Sequence, residues 1–143
     1  MQIRSGTPSD TDRIAAFNCF DIKADEAINQ NRCLVAIIDG DVAGFVIYKQ
    51  RGLIGKNFVE YLVVNEPFRR KGVAEALLRA AENELGPCRL FISTEADNTP
   101  MLTLLNKYGW SPSGQLDQIN DSGQAEVFFY KDLPRHGQTF DPT

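Results

Sequence analysis

Residues 62–74 read Leu-Val-Val-Asn-Glu-Pro-Phe-Arg-Arg-Lys-Gly-Val-Ala and join a hydrophobic strand to an amphipathic helix. Apolar residues recur about every 3.6 positions after Pro67, whereas the preceding stretch alternates with a period of two. Gly72 lets the backbone approach a ligand closely, and the first turn of a helix offers N–H groups that lack intrahelical partners. Three cations precede this glycine, although the chain carries a net charge of −4. The junction therefore predicts an anion-binding site, with phosphate as the expected anion.

Strands and helices are predicted on both sides of this junction. We expect strands at 2–4, 33–38, 42–48, 57–64, 88–94, 115–119 and 125–131, and helices at about 10–20, 23–29, 73–85 and 99–108. Ser9 or Asp10 is expected to cap the first helix, with Ile14 and Phe17 on its inner face. The order β-α-α-β-β-β-α-β-α-β-β predicts an α/β fold that combines hairpins with crossover connections.

Length and composition limit the classes of protein to consider. The 143 residues predict one domain over 1–133, followed by a polar tail at 134–143. The apolar runs are too short to span a bilayer and the first ten residues do not resemble a signal peptide, so we expect a cytoplasmic protein without a membrane partner. A sequence pI near 5.0 argues against nucleic-acid binding, which usually needs a basic face.

Cysteine and histidine are too sparse for most metal or nucleophilic sites. Cys19, Cys33 and Cys88 are widely spaced and form no Cys-x-x-Cys pair, so we expect reduced thiols. His136 is the one histidine, and it lies in the polar tail. Neither a histidine-based metal site nor a Ser-His-Asp triad is therefore expected.

The stretch 62–74 resembles the acyl-CoA signature of the GNAT N-acetyltransferase superfamily, in which Arg/Gln-x-x-Gly-x-Gly/Ala follows a strand ending in valine. Two later segments, Asn98–Met101 and Lys107–Trp110, resemble the second motif of that family. The resemblance extends from Ile3 to Lys131 and implies a small, single-domain, prokaryote-like member. It also implies a GNAT-like mixed, mostly antiparallel central sheet with helices on both faces.

This resemblance implies that acetyl-CoA is the co-substrate. Backbone N–H groups at the helix start would receive the pyrophosphate, the neighbouring cations could add contacts to phosphate, and a bulge in the fourth strand would expose N–H groups to the acetyl carbonyl. Asn98 would bind the pantetheine arm or cap its helix, and both roles can hold. The expected cofactor-binding residues are Leu62, Val63, Val64, Arg69, Arg70, Lys71, Gly72, Val73, Ala74 and Asn98.

Transfer of an acetyl group to an amine requires a base, because an alkylamine is mostly protonated at neutral pH. Glu60 is our first candidate, since it lies on the strand where the family often carries a catalytic glutamate. Alternation places it with Phe58 and Leu62, although an exposed surface glutamate is an equal alternative. Glu126 and Glu95 are weaker candidates.

The proton donor to the leaving thiolate departs from the family pattern. The tyrosine expected four residues before Gly109 is Leu105 here, and leucine cannot donate a proton. Tyr108 lies about one helical turn further on and is the candidate replacement, although it could instead pack in a core. Tyr130, Tyr61 or departure of the thiolate without an enzymic acid are alternatives.

The sequence thus predicts an acetyl-CoA-dependent N-acetyltransferase, a transferase that acts on an amine of a small molecule, peptide or protein. A catalytically silent acyl-CoA-binding module is the alternative. Acidic residues that could border an acceptor cleft, or simply be solvated, are Asp21, Asp25, Glu26, Asp117 and Asp121. The apolar run 127–130 resembles an edge strand that needs cover, which leaves a homodimer and a monomer as equal alternatives.

Overall fold

A computed structural model describes residues 1–17 and 23–134 of the chain. Its strands are β1 (Gln2–Ser5), β2 (Cys33–Ile38), β3 (Asp41–Leu53), β4 (Lys56–Val64), β5 (Cys88–Glu95), β6 (Ser111–Leu116) and β7 (Glu126–Leu133). Its α-helices are α1 (Thr11–Phe17), α2 (Ala24–Asn29), α3 (Val73–Leu85) and α4 (Thr99–Lys107). Short 3-10 turns at Pro8–Asp10 and Glu66–Phe68 precede α1 and α3. The predicted order of strands and α-helices is confirmed.

The strands form a mixed sheet in the order β1-β2-β3-β4-β5-β7-β6. The pairs β1–β2, β2–β3, β5–β7 and β6–β7 are antiparallel, which agrees with the mostly antiparallel sheet that we expected. The chain divides into two compact units. The first contains Met1–Lys49 and Val59–Glu84, and the second contains Gln50–Phe58 and the chain from Leu85 onward. The prediction of a single domain stays a prediction.

In the first unit, successive residues of β3 face different helices. Phe45 is fully buried in a cluster with residues of α1 and α2, among them Ile14 and Ala27. The neighbouring Gly44 faces the other way, because a Cβ atom there would lie 3.2 Å from side-chain atoms of both Val73 and Leu77 on α3. Since side chains alternate across a strand, helices cover both faces of β3, as the resemblance implied.

The N-terminal end of the first unit is held by a buried carboxylate. Asp10 is 3% exposed, and its two carboxylate oxygens accept hydrogen bonds of 2.7 and 3.1 Å from the Arg4 guanidinium. The backbone N–H of Thr7 donates to the same carboxylate at 2.8 Å. The hydrogen bond from Arg4 holds the pKa of Asp10 below its ordinary value, despite the opposing effect of burial. The structure thus differs from our prediction that Ser9 or Asp10 caps the first helix. Thr7 is the N-cap of the 3-10 turn, and the Asp10 carboxylate accepts a hydrogen bond from the Thr7 N–H. The helix α1 begins only at Thr11.

In the second unit, β7 lies between β5 and β6 and is therefore not an edge strand. Our prediction that residues 127–130 form an edge strand, which left a homodimer and a monomer as equal alternatives, was wrong, because this strand already has two neighbours. The edge strand is β6, which is exposed along its whole length. Pro112 cannot donate to a ladder, and the register shifts between Pro112 and Gly114, so this edge is poorly suited to pairing with another strand.

The remaining differences concern the ends of elements. β3 continues to Leu53, five residues beyond our prediction, because the turn that follows it is short. β6 covers Ser111–Leu116 rather than 115–119, and the chain around 117–125 forms a longer connection than we expected. The predicted end of the first helix near Phe20, together with Cys19, Asp21, His136 and the tail after Pro134, lies outside the described residues.

Candidate functional site

Residues 62–74 form the end of a strand, a 3-10 turn and the start of a helix. β4 ends at Val64, and α3 begins at Val73 with Gly72 immediately before it. Both Arg70 and Gly72 have positive φ angles, of 66° and 77°. Left-handed residues that alternate with right-handed ones can turn successive backbone N–H groups toward one side, so this turn is a candidate anion-binding concavity.

The beginning of α3 supplies the donors of this concavity. The first helical backbone bond runs from the Ala76 N–H to the Gly72 carbonyl at 3.1 Å. The N–H groups from Gly72 to Glu75 precede it and have no acceptor within the helix, which is the normal condition of a first turn. A Cβ atom built at Gly72 meets no heavy atom of residues 1–17 or 23–134 within 4 Å, so these residues leave the space beside this turn open. The site therefore has donors, a positive helix end and room for an anion.

The three cations of the junction make different contacts. Arg69 is hydrogen-bonded to the end of β4, because its Nε donates to the Val64 carbonyl at 3.2 Å. The ammonium group of Lys71 lies 5.7 Å from the centre of the Phe68 ring. Arg70 is exposed and carries one of the left-handed backbone conformations. The three side chains thus differ in how closely they are held by the protein.

Gly44 brings β3 and β4 unusually close to one another beside this junction. A Cβ atom at Gly44 would lie 2.7 Å from the carbonyl oxygen of Val63, a separation that folded proteins do not tolerate. The next backbone contact is ordinary, since the Asn65 N–H donates to the Ala43 carbonyl at 2.8 Å. Sequence analysis missed this role, because a lone glycine within an apolar strand gives no sign of what lies against it.

Glu60, the candidate base, forms an ion pair with Arg32. Its Oε1 accepts a hydrogen bond of 2.8 Å from Arg32 Nη1, and the side chains are 30% and 18% exposed for Glu60 and Arg32. The same Nη1 donates to the carbonyl of Tyr48 at 3.0 Å. Glu60 is therefore neither surrounded by apolar side chains alone nor freely exposed. Sequence analysis did not find Arg32, because 28 residues separate it from Glu60.

Residues of the second motif lie in the second unit. Asn98 is the N-cap of α4, where its Oδ1 accepts from the Met101 N–H at 3.3 Å, and this confirms the capping role. Leu105 is fully buried. Tyr108 is half-buried at the C-terminal end of α4, and the ammonium group of Lys107 lies 5.4 Å from its ring centre. Tyr108 therefore remains partly accessible to solvent, unlike Leu105.

The weaker candidate carboxylates, Glu95 and Glu126, lie opposite each other on β5 and β7. Glu126 accepts hydrogen bonds of 2.7 Å from the Ser93 hydroxyl and 3.0 Å from the Asn120 side chain. Glu95 accepts from the Ser122 hydroxyl. These contacts anchor the connection between β6 and β7, which is a structural use of both carboxylates.

The other candidate tyrosines have packing roles. Tyr61 packs against the cluster around Phe45 in the first unit. The Tyr130 ring lies 6.1 Å from Phe91, and the Arg89 guanidinium stacks over it at 4.4 Å. The candidate acidic residues that are described are exposed: Asp25, Glu26, Asp117 and Asp121.

The described residues contain neither a metal-binding cluster nor a membrane-spanning helix. Within residues 1–17 and 23–134, no three or more histidine, cysteine, aspartate or glutamate side chains are grouped so that they could bind a metal ion. In that same part of the chain, no helix has the length and apolar character needed to cross a bilayer.

Comparison with known proteins places the chain among acyltransferases. The model of the acetyltransferase (GNAT) family matches residues 4–110, about three quarters of the sequence. A comparison with curated protein sequences gave no significant match.

Several solved structures have the same fold. A GNAT-family acetyltransferase from Bacillus cereus is 24% identical, with a TM-score of 0.84 over 94% of this chain and 98% of its own. The ribosomal-protein-S18-alanine N-acetyltransferase from Escherichia coli is 16% identical, with a TM-score of 0.77 over 98% of each chain. A Salmonella typhimurium protein assigned as an acetyltransferase, solved with its cofactor acetyl-CoA, is 17% identical, with a TM-score of 0.75 over 96% of each chain. At these identities the structures show a shared fold.

Proposed function

This chain belongs to the acetyltransferase (GNAT) family, and we propose that it transfers the acetyl group of acetyl-CoA directly to a primary amine of a small molecule, peptide or protein. The observation that carries this proposal is the junction between β4 and α3. It combines left-handed Arg70 and Gly72, the donor N–H groups of a helix start and open space beside the glycine. A related acetyltransferase of the same fold binds acetyl-CoA.

The residues of the junction fit an acyl-CoA pyrophosphate. The N–H groups from Gly72 to Glu75 would donate to phosphate oxygens, and the helix dipole would favour their charge. Arg70 and Lys71 would add charge-assisted contacts. Leu62, Val63 and Val64 would border the pantetheine arm, with a backbone N–H of Val63 or Val64 directed at the acetyl oxygen.

Acetyl-CoA supplies an activated acyl group with a thiolate as the leaving group. Glu60 would accept a proton from the acceptor ammonium, directly or through water, and so generate the neutral amine that attacks the thioester carbonyl. The C–N bond forms, the C–S bond breaks, and the second proton of the nitrogen passes through water to the sulfur of the departing thiolate. A thiol is far more acidic than an alcohol, so departure as thiolate is also chemically reasonable.

A catalytically silent acyl-CoA-binding module is the second candidate. The observation that favours it is Leu105, a fully buried leucine at the position where the family resemblance implies a tyrosine. Such a protein would keep the phosphate site and lose turnover. The two candidates therefore agree on acyl-CoA binding and differ only in the chemical step.

Turnover and binding separate these possibilities. The protein is incubated with acetyl-CoA and a panel of amines that includes polyamines, aminoglycosides, lysine peptides and free peptide N-termini, and released CoA is quantified chromatographically. Amine-dependent CoA release supports the acetyltransferase. Calorimetric binding of CoA with no release over the whole panel favours the silent module, and the absence of CoA binding contradicts both.

Gly72→Glu tests the phosphate site itself. A carboxylate about 4 Å from a phosphate oxygen costs about 4 kcal/mol at an effective dielectric constant near 20, so CoA affinity should fall at least about 100-fold. Gly72→Ala imposes the same left-handed backbone penalty without the charge. Gly40→Glu adds the same charge at a comparable φ of 81° in the β2–β3 turn of the same unit. Equal loss of affinity in the Gly40 variant would contradict a phosphate site at Gly72.

A further inference from the structure

We propose that Arg32 is a positioning residue that fixes the carboxylate of Glu60 for proton transfer, an inference that rests on the proposed function. The two residues come from different segments, since Arg32 lies just before β2 and Glu60 lies within β4. Their hydrogen bond, from Nη1 to Oε1, measures 2.8 Å. Because the Arg32 hydrogen bond is made to Oε1, the geometry directs Oε2 toward the role of proton acceptor.

Arg32 is itself held firmly, which is what a positioning residue requires. Its Nη1 donates to the Tyr48 carbonyl at 3.0 Å, and its own carbonyl accepts from the Tyr48 N–H at 3.0 Å. Its Nε donates to the side chain of Gln30 at 2.7 Å. The guanidinium is therefore bound at two nitrogens and its backbone at a third point, so little rotational freedom remains at the end that contacts Glu60.

The exposure of the pair also distinguishes it from an ordinary surface ion pair. Arg32 is 18% exposed and Glu60 is 30% exposed, so the arginine lies deeper and the carboxylate keeps access to solvent. A fully exposed ion pair would do little to orient the carboxylate, because holding two long side chains in one geometry costs conformational entropy. The arrangement suits a base that must stay reachable and yet keep one orientation.

Arg32→Met keeps much of the apolar stem and removes the donors, and Arg32→Lys restores a cation without the planar fork. With the acceptor found in the amine panel, Arg32→Met should lower kcat about 10- to 100-fold, the scale of a misplacement of about 1 Å, and leave KM for acetyl-CoA unchanged. Arg32→Lys should recover part of that loss. Arg13→Met is the matched control, because Arg13 is an exposed arginine that donates to the backbone carbonyl of Gly40 at 3.0 Å.

A double-mutant cycle with Glu60→Gln shows whether Arg32 acts through Glu60. We expect that Arg32→Met has little further effect on kcat once Glu60 is a glutamine. Full kcat in Arg32→Met would overturn the inference and leave Glu60 as base. A loss that persists undiminished in the Glu60→Gln background, or that Arg13→Met reproduces, would also overturn it. If no amine is acetylated by any of these proteins, the proposed function fails, and the positioning role fails with it.

Discussion

Gly44→Ala should disturb the junction from within the sheet. The added Cβ atom would lie 2.7 Å from the Val63 carbonyl oxygen. Val63 would have to move away by about 0.3 Å to reach 3.0 Å, the shortest separation at which Cβ atoms are found, and by about 0.7 Å to reach ordinary contact at 3.4 Å. The Val73 and Leu77 side chains, each 3.2 Å from the new atom, limit escape toward α3.

These displacements set the expected magnitudes. Overpacking of this kind costs about 1–3 kcal/mol of unfolding free energy, and a domain of this size loses about 3 °C in Tm for each kcal/mol. The Tm of Gly44→Ala should therefore fall by about 3–9 °C. Because Val63 is expected to align the acetyl group, kcat/KM should fall about tenfold, since a 1 Å misplacement costs about 100-fold.

Thermal unfolding, steady-state kinetics and amide hydrogen exchange measure these effects. The Asn65 N–H, bonded to the Ala43 carbonyl at 2.8 Å, should exchange faster in Gly44→Ala as the two strands separate. Gly6→Ala is the control, because its Cβ would meet the side chains of Ile28 and Cys33 at 3.1 and 3.3 Å, and the backbone oxygen near it, that of Cys33, lies at an ordinary 3.5 Å. A Gly44→Ala protein with unchanged Tm and unchanged Asn65 exchange would refute the steric argument.

Two further predictions concern titratable groups. The folded-state pKa of Asp10 is lowered, chiefly by its hydrogen bond from Arg4, so its contribution to stability is present above the unfolded value near 3.9 and is lost as pH falls through the lower folded value. In urea unfolding between pH 6 and pH 2, Asp10→Asn should therefore lose less stability on acidification than the wild type, and parallel curves would count against this role. Burial raises the pKa of Cys33 to about 12, so its thiol should resist alkylation in the native protein at pH 8 and react fully in denaturant. Mapping of the alkylated peptides checks this, and rapid labelling of native Cys33 would show that the thiol is not buried as described.

The sequence predicted the fold well because its decisive signals are local. The change of apolar period at Pro67 marks the end of one strand and the start of α3, and Val73–Leu85 is helical over the predicted range. The edge of the sheet was harder to predict. Residues 127–130 are apolar and read as an edge strand, but position within a sheet depends on which strand pairs on the far side, and β6 supplied that neighbour.

The local geometry of the candidate site could be predicted where one segment determines it, and could not where two segments meet. Gly72 and the start of α3 could be recognised because all their determinants lie within a few residues. The pair of Arg32 and Glu60 depends on the pairing of β2 with β3 and on the hydrogen bond to the Tyr48 carbonyl. Gly44 depends on how closely a neighbouring backbone approaches. Neither the ion pair nor the close approach at Gly44 produces a recognisable pattern in one sequence, so both became evident only in the three-dimensional structure.

The contacts of Arg69 and Lys71 indicate how much these two side chains could contribute to the proposed phosphate site. Three consecutive cations predict a site that holds its ligand by charge, but Arg69 Nε is engaged with the Val64 carbonyl and the Lys71 ammonium lies near the Phe68 ring. The N–H groups from Gly72 to Glu75 have no acceptor within the helix and are free to donate to an anion. Arg69 and Lys71, by contrast, would have to give up or share their contacts with the Val64 carbonyl and the Phe68 ring. We therefore expect the backbone N–H groups to contribute more to the affinity for phosphate than the charges of these side chains. On this account, we expect neutralisation of Arg69 to weaken the proposed CoA binding chiefly by loosening the end of β4, whereas a negative charge added at Gly72 would repel the phosphate directly.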